Sequence, residues 1–86
     1  MPLTDEQLST EVTDLIVEAS SGVVTGEQVM DESANLLEKG FSSLSFLQLI
    51  DALETRYGVY IDLEGDTRFL GRVSSIVTFL REQNVD

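Results

Sequence analysis

Apolar residues recur at helical spacing near the start of the chain. They fall at i, i+4, i+7, i+8 and i+11, which places them on one face of a helix. These positions are Leu8, Val12, Leu15, Ile16 and Ala19. Thr4 and Gln7 have the spacing of a capping box, and a Ser-Ser-Gly sequence follows the last apolar position. The pattern predicts a helix over residues 5–19.

A second helix is predicted over residues 43–57, where the chain is most apolar. Its expected inward stripe is Leu44, Leu47, Ile50, Leu53 and Tyr57. Phe46 and Leu49 widen this apolar arc, and Gly58 supplies a C-terminal stop. A last helix is predicted to start at a cap on Ser74 or Ser75 and to end near residue 83. Its apolar residues are Ile76, Val77, Phe79 and Leu80.

The segments between these helices carry a weaker pattern. Residues 23–39 are predicted to form a long loop with one short helical turn, and four apolar residues are expected to hold this loop to the core. These are Val29, Met30, Leu36 and Leu37. Residues 59–61 are expected to run extended with Val59 and Ile61 packed, and residues 62–72 to form a polar connector with one helical turn near Phe69.

Together these elements predict an all-α fold. Three main helices plus a short fourth helix form a small bundle, with a long loop between the first and second helices. The length of 86 residues allows one domain, residues 1–86, with one modest core. The expected centre of that core is Leu15, Leu47, Ile50, Leu53, Ile61 and Val77.

Charge narrows the range of partners. The chain has 16 acidic and five basic residues, a net charge of -11, and no Lys or Arg before residue 39. Such a surface repels nucleic acid and anionic lipid and favours basic protein patches, or it simply keeps a monomer soluble. The polar, acidic start of the chain is not a signal peptide, and no apolar run is long enough to span a bilayer. We therefore expect a cytoplasmic monomer.

The residue types exclude most catalytic and metal chemistry. The chain has no Cys and no His, so thiolate and imidazole ligands are absent and Ser43 has no histidine base. Asp51 and Glu54 lie one helical turn apart and could look like a catalytic carboxylate pair, but on an exposed helix face such pairs are nearly always solvated charges. The acidic segment 62–66 lacks the ligand spacing of an EF-hand. We predict a non-catalytic protein without a dedicated metal site.

Ser43 is the residue with the clearest chemical potential. It follows Gly40, Phe41 and Ser42 and precedes Leu44, at the start of the second long helix. A phosphate on this serine would face unpaired backbone N–H groups and the positive end of the helix dipole. The alternative is an ordinary serine at a helix start, which is a common feature.

The wider pattern resembles the phosphopantetheine-attachment region of acyl and peptidyl carrier proteins. That family has a Gly-x-Asp-Ser-Leu segment, a helix ending in Leu-Glu, and then Phe/Tyr-Gly-Val-x-Ile. This chain has Gly-Phe-Ser-Ser-Leu at 40–44, Leu-Glu at 53–54 and Tyr-Gly-Val-Tyr-Ile at 57–61. The order of helices and loops is similar across essentially the whole chain.

The resemblance implies a function. Ser43 would receive 4′-phosphopantetheine from coenzyme A through a phosphopantetheinyl transferase, and the thiol of this arm would hold an acyl or aminoacyl group as a thioester. The further partners implied are adenylating, acyl-transferring or condensing enzymes. Leu44 would pack beneath the arm, and Phe46, Leu47, Asp51 and Glu54 would belong to the partner surface. Because the chain starts at Met1, we expect a free-standing carrier, although an excised domain would look similar.

Two residues depart from the family pattern, and two neutral residues of the second helix bear on the choice within the family. Ser42 replaces the usual Asp. Both residues cap helices, so the helix start should persist. The negative charge beside the attachment site is lost, which should affect which transferase modifies the chain. Lys39 replaces a usual apolar residue at the end of the loop. The neutral Ser45, together with Gln48, favours nonribosomal peptide or polyketide biosynthesis over a fatty-acid acyl carrier protein.

Other functions remain as hypotheses. The chain could be an acidic helical adaptor that binds basic proteins and is never modified. It could also be a carrier-like domain that transferases no longer recognise because of Ser42, in which case Ser42→Asp would restore loading. For Phe46 and Leu49, packing in the core competes with contact to a partner.

Overall fold

Four α-helices and one 3-10 helix form along residues 4–31, 33, 35–65 and 67–85, the part of the chain that the computed structural model describes. They are α1 (Asp5–Ala19), α2 (Gly26–Met30), α3 (Ser43–Tyr57), the 3-10 helix (Arg68–Gly71) and α4 (Val73–Glu82). α1 packs against each of the other three α-helices. No strand forms in the described residues, so the predicted all-α bundle is confirmed.

α1 has the predicted bounds because both of its ends are capped. The Thr4 hydroxyl accepts a hydrogen bond from the Gln7 amide at 3.0 Å, and the Gln7 side chain accepts one from the Thr4 amide at 2.9 Å. This is the predicted capping box. At the other end the Ser20 hydroxyl donates to the Val17 carbonyl at 2.8 Å and accepts from the Val24 amide at 3.2 Å.

α2 is the short helix within the long loop, and it also begins with a capping box. Thr25 and Gln28 exchange two hydrogen bonds of 3.2 and 2.9 Å, which the sequence analysis did not anticipate. At the end of α2 the Lys39 ammonium donates to the carbonyls of Gln28 and Asp31. A cation on these carbonyls also meets the negative end of the helix dipole. Lys39 therefore holds the loop end in place.

α3 has the predicted bounds, and Ile50 and Leu53 of its predicted inward stripe are buried, but the first part of the stripe is not. Leu49 and Leu53 are fully buried, whereas Leu44 is 64% and Leu47 51% exposed. The prediction that Leu44 and Leu47 point inward was therefore wrong. Side chains two positions apart point about 200° apart around a helix, so α1 can cover Leu49 only by leaving Leu47 outside. Gly58 ends the helix in the left-handed conformation, with φ of 67°, as predicted.

The C-terminal segments follow the prediction except at the start of α4. Ile61 is buried in the extended segment after α3, and the short helical turn appears as the 3-10 helix. α4 begins at Val73, so Ser74 and Ser75 lie inside its first turn and the predicted serine cap was wrong. Val73 is itself buried, and starting the helix there seats it in the core. Arg72 occupies the cap position without a side-chain cap hydrogen bond.

The core runs between α1, α3 and α4. Its buried apolar side chains are Leu8, Val12, Ile16, Ala19, Val24, Val29, Leu36, Phe41, Leu49, Ile50, Leu53, Ile61, Leu70, Val73, Ile76, Val77 and Leu80. Leu15 packs only at the edge of this set, so the expected centre holds for Ile50, Leu53, Ile61 and Val77 but not for Leu15 or Leu47. The loop is held by Val29 and Leu36 as predicted. Met30 and Leu37 are exposed, which contradicts the prediction for them.

Polar contacts between described residues also join α1 to the later helices. The Tyr57 hydroxyl donates to a Glu11 carboxylate oxygen at 2.9 Å, and the Arg56 Nε donates to the same oxygen at 3.3 Å. Arg81 and Asp5 form a salt bridge of 2.9 Å between the end of α4 and the start of α1. In the described part of the chain no helix has the length and apolarity to cross a membrane.

Candidate functional site

The chain reaches Ser43 through a turn anchored in the core. Gly40 has φ of 96°, a left-handed conformation that favours glycine. The next residue, Phe41, is 3% exposed, and its ring meets that of Phe46 edge-on with centroids 4.7 Å apart. The Phe41 amide also donates to the Leu36 carbonyl at 3.0 Å. The backbone is thus fixed two residues before Ser43.

Ser42 caps α3 in place of the aspartate that the resemblance would lead one to expect. Its hydroxyl accepts a hydrogen bond from the Ser45 amide at 3.1 Å, and the two serine hydroxyl oxygens lie 3.0 Å apart. This is the usual role of a short polar side chain at a helix N-cap. The expected survival of the helix start is therefore confirmed.

Ser43 is the first residue of α3 and is exposed to solvent. Its hydroxyl makes no hydrogen bond to the described residues. The amides of Ser43 and Leu44 have no intrahelical acceptor because they lie in the first turn. No acidic residue lies in that turn. An accessible hydroxyl thus lies at the positive end of a helix, where a phosphate would be stabilised.

A groove of about 560 Å³ opens beside Ser43. It lies between the first half of α3, the end of the loop after α2, and the 3-10 helix. Its apolar walls are Leu37, Phe46, Leu47, Ile50, Leu63 and Leu70. Its other lining residues are Asn35, Ser43, Thr67, Arg68, Gly71 and Arg72.

Two of the groove walls touch through their backbones. The Leu36 amide donates to the Gly71 carbonyl at 2.9 Å. A Cβ on Gly71 would lie 3.1 Å from the Cβ of Asn35, which is closer than ordinary contact. The absence of a side chain at Gly71 therefore lets the loop and the 3-10 helix approach each other and fixes the width of the groove.

The structure brings together only part of the predicted site. Phe46 and Leu47 line the groove with Ser43, and Phe46 also packs against the core. Leu44 is exposed and does not contribute to the groove lining within the described residues. Asp51 is exposed on α3. Glu54 instead accepts a hydrogen bond from the Ile61 amide at 3.0 Å, which holds the segment after α3.

Sequence reasoning did not identify the residues opposite α3. Leu63, Arg68 and Arg72 come from a segment treated only as a polar connector. One signal was available, because these two arginines are among only five basic residues in the chain. Their position beside Ser43 depends on how the connector folds back, and the sequence pattern does not specify that.

The strongest pKa perturbation lies at the link between α1 and α3. Burial, together with the hydrogen bond to Glu11, raises the pKa of Tyr57 to about 12. The same Glu11 carboxylate raises the pKa of Arg56. These three residues do not line the groove, and their contacts instead join α1 to α3.

The acidic segment 62–66 offers no metal site in its described part. Asp66 lies outside the described residues, and the described residues contain no group of three or more acidic side chains placed to hold a metal ion.

Searches against protein-family profiles, curated proteins and solved structures give no significant match to this chain. The resemblance to carrier proteins therefore stays a prediction. It depends on the residues at 40–44 and 53–61 and on the properties of the site described above.

Proposed function

We propose that this protein is a carrier that holds acyl or aminoacyl groups on a 4′-phosphopantetheine arm attached to Ser43. In this proposal it has no catalytic activity of its own and works as a cytoplasmic monomer. It passes its cargo between adenylating, acyl-transferring or condensing enzymes. The observation that carries the proposal is the exposed Ser43 hydroxyl at the N-terminus of α3, within the segment that resembles the attachment motif.

The local geometry suits a transferase reaction. The Ser43 oxygen would attack the phosphorus that bears the pantetheine group of coenzyme A. A bond from that oxygen to phosphorus forms, the bond to the bridging oxygen of the pyrophosphate breaks, and 3′,5′-ADP leaves. The serine proton passes to a base on the transferase, because this chain has no histidine. The resulting phosphodiester would lie against the free amides of the first turn of α3.

The arm would supply the thiol that this cysteine-free chain lacks, and that thiol would hold the cargo as a thioester. Two features of α3 support peptide or polyketide biosynthesis over fatty-acid synthesis. Ser45 and Gln48 are neutral, and Leu44 and Leu47 are exposed beside them. A partner would therefore meet an apolar and uncharged surface near the arm, with Asp51 as the first acidic residue along the helix.

Coexpression with a broad-range phosphopantetheinyl transferase tests the proposal. Intact mass should increase by one phosphopantetheinyl group in the wild-type chain and remain unchanged in Ser43→Ala. Ser45→Ala is the matched control, because it also removes a hydroxyl from the first turn but leaves Ser43 in place, and it should be modified. Ser42→Asp should be modified at least as fast as wild type. If Ser42→Asp alone is modified, the natural serine prevents loading.

An unmodified adaptor for basic proteins is the second candidate, favoured by the exposed acids of α1. Glu6, Asp14 and Glu18 all face solvent on that helix. An adaptor would remain unmodified under the same coexpression conditions. It would also bind a basic partner equally well when Ser43 is replaced by alanine, whereas the carrier's exchange with its enzymes would be lost.

A further inference from the structure

A single turn of backbone leads from the long loop to the Ser43 site. The Leu36 carbonyl accepts hydrogen bonds from the amides of Lys39 and Phe41, both at 3.0 Å. Gly40 lies between these two donors with φ of 96°, so the turn closes through the left-handed conformation that often ends a helix. The cap residue of α3 follows directly after the turn. The path of the turn therefore sets where the first residues of α3 lie.

The turn is held to two different elements. The Leu36 amide donates to the Gly71 carbonyl at 2.9 Å, which holds the turn to the 3-10 helix. The Lys39 ammonium donates to the carbonyls of Gln28 and Asp31, which holds the turn to the end of α2. This second contact forms a latch between α2 and the turn. α2 has only five residues, and a helix that short depends on tertiary contacts of this kind.

We infer that Lys39 is a positioning residue for Ser43 and that the latch regulates how readily this serine is modified. The inference rests on the proposed function and concerns the same site. With the latch closed, the turn presents the Ser43 hydroxyl in one arrangement, and with the latch open the end of the loop adopts several. Only the closed arrangement is competent for transfer, so the fraction of chains with a closed latch sets the apparent affinity for a transferase.

The charge of Lys39, the only lysine of the chain, suits this role. Its ammonium has three N–H donors, and two carbonyls accept from it in the latch. Hydrogen bonds from a charged donor are roughly twice as strong as neutral ones. The two carbonyls also lie at the C-terminal end of α2, where a cation is favoured. A neutral side chain of similar length would fill the same space without donating.

NMR relaxation of the unmodified chain tests the positioning without a transferase. In the wild type, the backbone order parameters of residues 36–43 should be near 0.85, the value of a rigid backbone. In Lys39→Met they should fall to about 0.6 or below, while those of Leu53 and Ile76 in the core remain near 0.85. A loss of global stability alone would leave the order parameters of the folded chain unchanged.

Loading kinetics then test what the positioning does. With coenzyme A and a broad-range phosphopantetheinyl transferase, Lys39→Met should raise the KM for this chain about threefold or more and leave kcat unchanged, because saturation recovers the competent arrangement. Lys39→Arg keeps a cation that can donate to both carbonyls, so it should retain the wild-type KM and order parameters. Arg56→Met removes one positive charge at the opposite end of α3 and should change neither quantity.

Unchanged order parameters at residues 36–43 in Lys39→Met would overturn the inference, whether or not Ser43 is loaded. A wild-type KM in that variant would also overturn it and would leave the attachment proposal intact. An equal rise of KM in Arg56→Met would overturn it as well, because net charge would then be the cause. Absence of loading in the wild-type chain would overturn the attachment proposal and the regulatory part of the inference, whereas the order parameters decide the positioning part.

Discussion

Replacing two leucines of α3 by alanine tests which face of that helix the fold buries. Leu49 and Leu47 lie two residues apart in the same helix, and each change removes the same three side-chain carbons. Leu49 is fully buried, whereas Leu47 is 51% exposed at the groove. Leucine and alanine are both strong helix formers, so the difference between the two variants reports burial.

The expected costs differ several-fold. Leu49→Ala loses the transfer free energy of a buried side chain and leaves a cavity, together about 3–4 kcal/mol of unfolding free energy. Leu47→Ala loses at most half of a leucine's transfer term and leaves no closed cavity, so it should cost about 1 kcal/mol or less. For a domain of this size each kcal/mol lowers the melting temperature by about 4–8 °C. Leu49→Ala should therefore melt at least about 12 °C below wild type.

Thermal and urea unfolding followed by circular dichroism at helical wavelengths measures both variants. The reasoning is refuted if Leu47→Ala costs as much as Leu49→Ala, because α3 would then bury the face that the sequence pattern first indicated.

Three further predictions concern contacts outside that face. Gly71→Ala should destabilise the protein by about 1–2 kcal/mol and shift the amides of the groove in NMR spectra, because its Cβ would press on Asn35 at 3.1 Å. Lys39→Met should cost about 1 kcal/mol and speed amide exchange in α2, since two carbonyls lose their donor. Tyr57 has a folded pKa of about 12 against an ordinary 10, so its contribution should be complete below pH 10 and be lost as pH rises from 10 to 12. Its partial exposure limits that loss to roughly 1 kcal/mol, seen in urea unfolding across this range.

Each of these has a control. Gly65→Ala meets its nearest non-neighbouring atom at an ordinary 3.5 Å and should leave the groove amides unshifted. Lys39→Arg keeps a cation and should retain most of the stability. Tyr57→Phe should abolish the alkaline loss; if the loss persists in that variant, another group causes it.

The sequence was sufficient to predict the bounds of the helices that begin or end at a capping residue or a glycine. α1 begins at a capping box and α3 ends at a left-handed glycine, and both were located to the residue. The sequence did not predict the start of α4. Two serines with good capping propensity follow Val73, but the helix begins at Val73 itself, which is buried in the core. Local preference is a weak guide when tertiary packing opposes it.

The candidate site was predictable at Ser43 but not across the groove from it. The turn, cap and exposed serine are consecutive in the chain, so their spacing carries the information. Arg68 and Arg72 line the groove because the connector is held to the loop there, where the Leu36 amide donates to the Gly71 carbonyl. The apolar arc of α3 is also wide enough that either of two faces could be buried. The packing of α1 against α3 determines which face is buried.

The central claim is that the Ser43 oxygen accepts a phosphopantetheinyl group. Incubation of the purified chain with coenzyme A and a transferase, followed by proteolysis and tandem mass spectrometry, tests it at the level of the residue. We predict one added group per chain, located on Ser43 and not on the neighbouring Ser42 or Ser45. A chain that remains unmodified while a known carrier in the same reaction is loaded, or a group located on another serine, would contradict the account.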